Sequence, residues 1–445
     1  METARQAPQL LLLEFNEISF ENVSYYCARG RLPHLRELIE RNGWSTTTSE
    51  QQYEHLEPWI QWVTAHTGLT FAEHGVFRLG DIINHDLPQI WELLEERGLK
   101  VGAISPMNAK YRLRDPAFFV PDPWTPTTVA APRRLRRLYD AIAQAVNDNA
   151  QSKLTLRSAY ALFSGLLGYA RLANYGRYAA LAAQALTRPW KRALLLDLLL
   201  ADVFIDQVRR TGPHFASLFL NAGAHVQHHY MFSAKCYSGA QRNPAWYAPQ
   251  GADPVLEAYE IYDAILGAVR GAFPQARLML ATGLQQVPYP EVTYYWRLRD
   301  HPAFLRSIGV PFASVQPRMS RDFLITCEST EQAQRAAERL QRAVAADGRP
   351  LFEVDNRGTD LFVMLVYPGE IGPSFRFTIG AQEYAGLREQ VAFVALKNGE
   401  HDGIGYFIDS GAARGSTAAQ FPLTDMPGRI MNALGVYNAS GHAAQ

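Results

Sequence analysis

The chain has 445 residues, of which 47% are apolar and 19% are charged, and its 43 basic side chains balance 43 acidic ones. This length and composition suit at least one large hydrophobic core, and they exclude a disordered chain, a collagen and a small disulfide-stapled protein. Because the formal net charge is zero, no overall field attracts polyanions, and nucleic acid is not an expected partner.

The cysteines and the apolar runs indicate the cellular compartment. Cys27, Cys236 and Cys327 are far apart and form no CxxC pair, so neither a disulfide framework nor a thiolate zinc site is expected. The first apolar run, from Leu10 to Leu13, is too short for a signal peptide. No run reaches the roughly 20 apolar residues of a membrane span. We therefore expect a cytoplasmic protein without a membrane span.

Short apolar runs alternate with amphipathic helical patterns along the chain. The runs that predict buried parallel strands are residues 10–15, 101–105, 217–220, 278–281 and 405–408. The patterns that predict helices between them are residues 32–41, 87–97 and 255–273. This alternation predicts an α/β sandwich with a mostly parallel sheet covered on both faces. Ligand sites in such sheets lie at the carboxyl ends of the strands.

Two insertions interrupt the alternation. An Ala- and Leu-rich segment predicts a helical cap, through which a homodimer is one expectation, and its arginines at 133, 134, 136 and 137 fit a solvated helix face or a phosphate-bearing ligand. Ser329 and Gln332 predict a capping box before a helix at 331–344, followed by strands at 351–354 and 361–366. The predicted divisions are core segments 1–124, 211–309 and 376–445, a helical insertion 125–210 and a small α+β insertion 310–375.

The clearest cluster of reactive side chains in the sequence consists of three histidines. The chain has no GxxxxGK[ST], GxGxxG, GxSxG or HExxH motif, so the corresponding nucleotide, dehydrogenase, serine hydrolase and zincin sites lack their diagnostic residues. His225, His228 and His229 directly follow the predicted strand at 217–220. Imidazoles at this position can ligate a metal, shuttle protons or bind an anion. The alternative is that one or two of them cap the following helix.

A series of short motifs extends over nearly the whole chain outside the helical insertion. In chain order they are the strand and polar turn at 10–16, Pro33-x-Leu35-x-x-Leu38, the Thr67-Gly68 and His74-Gly75-Val76 segment at 62–76, the strand at 98–104, Tyr259, Asp263 and Gly267 before the strand at 278–281, Gly399 to Gly403 with His401, and the closing helix at 423–435. In this order they resemble the alkaline phosphatase superfamily, particularly its phosphodiesterase and nucleotide pyrophosphatase branch. The resemblance implies an α/β sandwich that acts on phosphoesters or related esters, with two divalent cations on three Asp and three His and a Thr or Ser nucleophile.

The chain departs from this family pattern at most ligand positions. The positions of the family's Asp and Asp-His ligands read Asn16, Ala224 and Thr282-Gly283, and the nucleophile position falls on Pro58. Of the six ligands only His228 and His401 remain. Because each lost Asp removes a negative charge, two adjacent divalent cations are not expected. We expect either one zinc or manganese ion, held by His228 and His401 and completed by Asp402, Glu57 or His225, or general acid–base chemistry without a metal.

The residues around these positions form a rim of carboxylate, amide and imidazole groups. The side chains predicted to be catalytic are Asn16, Glu57, His225, His228 and His401; those predicted to bind substrate are Glu14, Gln61, Asn221, His229, Gln285 and Gln286; His228 and His401 are the predicted metal ligands. Glu17 lies on the same rim and receives no role. The predicted function is an enzyme acting on a small anionic phosphoester, sulfoester or sugar-nucleotide-like substrate. The alternative is a pseudoenzyme that keeps the fold as a binding or assembly protein, because Pro58 offers no nucleophile.

Overall fold

The computed structural model describes residues 8–147, 156–318, 321–412 and 420–436. Within these ranges the helices α1 to α15 are Phe20–Cys27, Pro33–Asn42, Pro58–Thr67, Phe71–His74, Ile90–Glu95, Arg133–Asn147, Leu156–Tyr169, Tyr175–Gln184, Lys191–Thr211, Ala222–Tyr230, Pro254–Ala272, His301–Ser307, Thr330–Gln341, Leu387–Gln390 and Met426–Ala433. The strands β1 to β17 are Leu10–Phe15, Ser45–Thr48, Val101–Ile104, Phe118–Val120, Phe215–Leu220, Arg277–Ala281, Gln285–Leu298, Ser314–Pro317, Asp322–Thr326, Ala343–Ala345, Phe352–Asn356, Asp360–Leu365, Arg376–Ile379, Gln382–Ala385, Val391–Asp402, Ile404–Asp409 and Phe421–Pro422.

The central sheet contains eight strands in the order β17-β2-β16-β6-β1-β5-β3-β4. Strand β1 lies in its interior and pairs in parallel with β5 and β6, so that Leu10 is opposite both Phe215 and Arg277. The sheet is parallel except where β16 runs antiparallel to β2 and β6. The predicted α/β fold with a mostly parallel sheet is therefore confirmed.

The direction of β16 differs from the sequence-based expectation. Residues 405–408 were expected to form a parallel strand, but Phe407 lies opposite Ala281 in an antiparallel pairing with β6, so this expectation is wrong. The expectation fails because a buried apolar run has the same residue pattern in a parallel and in an antiparallel strand.

Both faces of the sheet are buried. Along β1, Leu11 and Leu13 pack into one apolar core, while Leu10 and Leu12 pack into a second core on the opposite face. Successive side chains of a strand point to opposite faces, so the unbroken apolar run of β1 serves both cores at once. The first core includes residues of α1, α2, α9, α10 and α11, and the second includes residues of α3, α5 and α15. The result is a three-layer sandwich.

The segment predicted to be helical contains α6 to α9. Its longest helix, α9, contributes Leu194, Leu198 and Phe204 to the same core as β1. Asp197 of this helix accepts hydrogen bonds from the N–H of Ala222, at 2.7 Å, and from the hydroxyl of Tyr262, at 2.8 Å. Among the described residues, no helix combines the length and the apolar character that crossing a membrane requires.

A second compact unit comprises residues 240–243 and 289–398. It contains a four-stranded antiparallel sheet, β11-β12-β9-β8, and a three-stranded sheet, β10-β13-β14, around its own apolar core. Helix α13 begins after Ser329, whose hydroxyl accepts the N–H of Gln332 at 3.2 Å. The side chain of Gln332 accepts the N–H of Glu328 instead of that of Ser329. The predicted capping box is therefore half correct, and its return bond is shifted by one residue.

Candidate functional site

Glu17 lies in the turn after β1, two residues beyond Phe15. Its backbone φ is +60°, in the left-handed region that residues other than glycine rarely adopt. The N–H of Glu17 donates to the carbonyl of Thr282 at 3.0 Å, and the N–H of Asn16 donates to the carbonyl of Leu220 at 3.1 Å. These bonds attach the turn to the carboxyl ends of β6 and β5. The turn therefore holds the Glu17 side chain at the edge of the sheet where the parallel strands end.

The side chains of Glu17, His228 and His401 meet at one point. Nε2 of His228 is 3.2 Å from Nε2 of His401. Oε2 of Glu17 is 3.1 Å from the first of these nitrogens and 3.3 Å from the second. Among the described residues, these three form the group whose atoms lie close enough to ligate a single ion. We call them the site cluster.

Both oxygens of the Glu17 carboxylate accept hydrogen bonds from buried amides. Nδ2 of Asn16 donates to Oε1 at 2.8 Å, and Nε2 of Gln286 donates to Oε2. Asn16 is itself held from two sides, since the indole N–H of Trp62 donates to its Oδ1 at 2.7 Å and its Nδ2 also donates to Oδ1 of Asn221 at 2.8 Å. The structure thus places Asn16, Asn221 and Gln286 around the carboxylate.

Helix α10 carries all three clustered histidines. Nε2 of Gln227 donates to the backbone carbonyl of Glu17 at 2.7 Å, so the turn of helix next to His228 is fastened to the turn that carries the carboxylate. The ring centroid of His225, an exposed residue, is 4.9 Å from that of His229. His229 and His228 are 6.2 Å apart by the same measure. Only His228 of the three contributes to the site cluster.

His401 reaches the cluster from the end of β15, at the same edge of the sheet. Because β16 is antiparallel to β6, the start of β16 lies beside the carboxyl ends of the parallel strands. The second ring nitrogen of His401, Nδ1, is 3.6 Å from Oε2 of Glu57. Glu57 immediately precedes α3, whose first residue is Pro58. The structure therefore brings the predicted residues His228, His401 and Glu57 together with Glu17.

The charge state of Glu17 follows from its surroundings. Burial of the carboxylate alone would raise its pKa, but the positive charges of His401 and His228 and the hydrogen bonds from both rings outweigh burial. The pKa of Glu17 is consequently held well below its ordinary value. Positively charged rings cannot ligate a metal, so a cation would take the place of their charge beside the Glu17 carboxylate, which is 2% exposed.

Three residues predicted to bind substrate lie away from the site cluster. Oε1 of Glu14 is 2.7 Å from Nε2 of His66, and both side chains are almost completely buried. The hydrogen bonds of the other two are Nε2 of Gln61 to the carbonyl of His55 at 2.6 Å, Nε2 of Gln285 to Oδ2 of Asp402 at 2.7 Å, and the hydroxyl of Tyr406 to Oε1 of Gln285 at 3.2 Å. These contacts leave Glu14, Gln61 and Gln285 outside the cluster.

The central carboxylate was assigned no role from the sequence. The family resemblance assigns its Asp position to Asn16, whereas the carboxylate that meets the histidines belongs to the next residue, Glu17. One signal in the sequence was available, because Glu17 is the acidic residue nearest to the end of β1 that lies beyond the strand itself. The roles of Trp62 and Gln227 in fixing this turn depend on tertiary contacts and have no signature in the sequence.

The similarity of this chain to known proteins lies in its structure. No protein-family model and no curated protein matches it. Among solved structures it is similar to a phosphonoacetate hydrolase from Sinorhizobium meliloti 1021 in complex with phosphonoformate, with 12% identity, a TM-score of 0.46 and coverage of 97% of this chain and 96% of that chain. It is also similar to murine ectonucleotide pyrophosphatase/phosphodiesterase 5, with 11% identity, a TM-score of 0.42 and coverage of 98% and 97%. A third similar structure is a TAB5 alkaline phosphatase mutant with Mg bound, with 9% identity, a TM-score of 0.41 and coverage of 98% and 100%.

Proposed function

We propose that this chain is a divergent member of the alkaline phosphatase superfamily that hydrolyses a small anionic phosphoester at a single divalent cation. The ligands are Glu17, His228 and His401, and the ion is zinc or manganese. Sulfoesters and sugar-nucleotide-like compounds belong to the same substrate class, since each presents an anionic tetrahedral centre to the cation. The ordered series of family motifs supports the family, and the site cluster supports the chemistry.

The observation that carries the proposal is the spacing within the site cluster. Its three donor atoms lie 3.1, 3.2 and 3.3 Å from one another. Tetrahedral zinc with metal to donor bonds of about 2.0 Å requires donors about 3.3 Å apart. Two imidazoles and one carboxylate are also a ligand set that catalytic zinc sites use, with one position left for water or substrate. The residues present therefore fit one ion.

The groups around the ligands support the same interpretation. Metal-bound histidines usually direct their second ring nitrogen toward a carboxylate or carbonyl, and metal-bound carboxylates are usually hydrogen-bonded in turn. His401 has Glu57 beside Nδ1, and Glu17 accepts Asn16 and Gln286. The two hydrogen bonds fix the direction of the Glu17 carboxylate, and Glu57 lies beside the ring nitrogen of His401 that faces away from the cluster.

A second ion has no comparable set of donors. The family ligand positions that lack their usual residues read Asn16, Ala224 and Thr282-Gly283. An amide, an alanine, a threonine and a glycine supply no negative charge to balance a second dication. The described residues contain one group of three clustered ligand atoms, which agrees with a single ion.

The proposed reaction follows from the side chains at the site cluster and beside it. A divalent cation here would supply a Lewis acid for the anionic centre of the substrate. Pro58 has no nucleophilic atom, so a water molecule attacks directly and no ester with the protein forms. Glu57, beside His401 and 36% exposed, accepts the proton of this water. General base catalysis of this kind contributes about 10²- to 10⁴-fold.

Metal analysis together with an ester screen tests the proposal. We expect about one equivalent of zinc or manganese per purified chain, and hydrolysis of an aryl phosphate, phosphodiester or sulfate. Glu17→Gln should lose the ion and the turnover, whereas the matched variant Glu21→Gln, at an exposed carboxylate in the first turn of α1, should retain both. Two equivalents of metal in the wild-type protein would contradict the single-ion site.

A pseudoenzyme is the second candidate, and one observation favours it. Within the described residues, the donors around Glu17 already satisfy both carboxylate oxygens, and Pro58 removes the family nucleophile. A protein of this kind would bind an anion through protonated His228 and His401 without turning it over. Metal-free protein that binds inorganic phosphate and hydrolyses none of the esters would establish this alternative.

A further inference from the structure

The helical segment between β4 and β5 exposes an unusual number of large apolar side chains. Eleven such side chains are exposed in the described residues, and six of them lie between residues 160 and 186: Tyr160, Phe163, Leu167, Leu172, Tyr175 and Leu186. Leu172 is 81% exposed and Leu186 is 84% exposed. Single exposed apolar residues are ordinary on soluble proteins, but a concentration of this kind marks an interaction surface.

Three of these side chains share one face of α7. Tyr160, Phe163 and Leu167 follow each other at spacings of three and four residues, which places them on one side of a helix. The helix is held from another side, where Gly165 faces α6 so closely that a Cβ would lie 2.5 Å from Cδ1 of Leu138. Helix α7 is therefore packed on one face and presents an apolar face to solvent.

The same segment carries a concentrated positive charge. Residues 133–147 and 156–192 contain ten Lys and Arg and one acidic residue, Asp140, although the whole chain has no net charge. The arginines of α6 at 133, 134, 136 and 137 are exposed, and within the described residues none of them forms an ion pair with a carboxylate. A guanidinium N–H of Arg134 donates to the carbonyl of Ser164 at 2.9 Å. Because Ser164 lies next to Phe163, the basic helix adjoins the apolar face.

We propose that α6, α7 and α8 dock on the surface of an anionic lipid bilayer. The apolar side chains of α7 enter the boundary between headgroups and acyl chains, and the arginines of α6 contact the lipid phosphates. This combination of an exposed apolar face with basic flanks is the pattern of segments that lie in a membrane interface without crossing it. Each Lys or Arg near such a surface strengthens binding about fivefold.

A surface of this kind could also bind a second copy of the chain or a nucleic acid. The positive charge of the segment and its exposed apolar side chains together favour the bilayer. A twofold dimer through this face would bring the same positive segment against itself, which is electrostatically unfavourable. A nucleic acid would satisfy the arginines, but the exposed leucines and Phe163 gain nothing from a phosphate backbone. An anionic bilayer satisfies both features at once. None of these residues belongs to the site cluster.

Vesicle flotation with the full chain tests the proposal. We expect the protein to float with vesicles of phosphatidylcholine containing about one third phosphatidylserine, and to remain unbound with phosphatidylcholine alone. Arg133→Gln, Arg136→Gln and Arg137→Gln combined should weaken binding about 100-fold, from three charges at about fivefold each. The matched control combines Arg78→Gln, Arg114→Gln and Arg335→Gln, which are equally exposed arginines elsewhere, and should bind like the wild type.

A second variant tests the apolar part independently. Phe163→Ser with Leu167→Ser changes exposed side chains only, and we expect at least about tenfold weaker flotation from the lost apolar area. Absence of flotation for the wild type, equal binding to neutral vesicles, or equal loss in the control triple variant would each overturn the proposal. So would a wild-type dimer that the Phe163→Ser, Leu167→Ser variant dissociates, because the face would then be an interface between two copies.

Discussion

Two groups of Glu and His lie at the end of β1, and their Glu residues are three positions apart along the chain. The two groups differ in exposure and in hydrogen bonding. The inner pair is Glu14 with His66, in which the two side chains are 0% and 2% exposed. In the site cluster of Glu17, His228 and His401, the two imidazoles are 29% and 13% exposed. The same residue types thus form a sealed pair on one side and an accessible group on the other.

Their hydrogen bonding differs in the same direction. Among the described residues, Oε2 of Glu14 and Nδ1 of His66 have no hydrogen-bond partner. The ring centroid of His66 lies 4.6 Å from that of Trp91. The carboxylate of Glu17, by contrast, accepts bonds on both oxygens. A sealed pair of this kind affects mainly stability. The accessible cluster, whose carboxylate is held by two amides, is the one for which we propose a binding role.

The largest expected effect distinguishes the two groups by activity. His228→Ala and His401→Ala each remove one of the three proposed cation ligands, so turnover should fall by about 10²- to 10⁴-fold and the metal content should fall with it. The melting temperature should change little, because both rings are partly exposed. Steady-state rates and elemental analysis measure this. Variants that unfold but keep full activity per folded molecule would show that the histidines are packing residues.

The inner pair should show the opposite behaviour. His66→Ala leaves the Glu14 carboxylate buried without its partner, and breaking a buried pair in this way costs about 3 to 5 kcal/mol in the free energy of unfolding. Activity per folded molecule should stay unchanged. Urea unfolding measures the loss, and adding Glu14→Gln to the variant should recover part of it by removing the buried charge. A fully stable His66→Ala protein would show that the pair is unimportant for folding.

A glycine near His401 allows a smaller perturbation of the site cluster alone. A Cβ on Gly399 would lie 2.3 Å from Oε1 of Gln286 and 3.0 Å from the carbonyl oxygen of Gln227. Gly399→Ala therefore displaces the amide that donates to Glu17, and metal affinity should fall about 10- to 100-fold, as for other groups that orient ligands.

Metal titration measures the effect of Gly399→Ala. The control is Gly271→Ala in α11, where a Cβ meets open space, and it should bind the ion like the wild type. Equal affinity in both variants would show that the Gln286 amide does not orient Glu17.

The sequence predicted the sandwich well, and the reason is visible in β1. An unbroken apolar run flanked by helical patterns has few structural solutions other than a buried strand, and residues 10–15 form that strand. The orientation of β16 was predicted incorrectly because apolar pattern carries no direction.

The sequence predicted part of the candidate site, and two separate features of the structure account for the rest. Motif order, together with the position of His228 after a predicted strand, indicated His228 and His401, whose Nε2 atoms lie 3.2 Å apart. Glu14 was expected at the site because it adjoins the family's Asp position, but alternation along β1 places it on the face of Leu10 and Leu12. Glu17 received no role because the left-handed turn that brings it to the histidines is a backbone conformation. Neither apolar periodicity nor residue spacing reveals such a turn.

A third buried carboxylate, that of Asp197, extends the comparison with Glu14 and Glu17 to the pH dependence of stability. Asp197 faces no histidine, and burial raises its pKa to about 7 although the N–H of Ala222 and the hydroxyl of Tyr262 donate to it and oppose the shift.

A raised pKa means that the folded state binds this proton more tightly than the unfolded chain, whose Asp titrates at about 3.9. The contribution of Asp197 to stability is therefore largest below about pH 4 and declines as the pH rises toward about 7. Asp197→Asn cannot titrate, so its stability relative to the wild type should improve by about 2 kcal/mol between about pH 5 and pH 7. Urea midpoints at both pH values measure this difference, and other raised acids such as Glu92 cancel because both proteins contain them. Parallel stability curves for the two proteins would show that Asp197 is ionised throughout and that its two hydrogen bonds outweigh its burial.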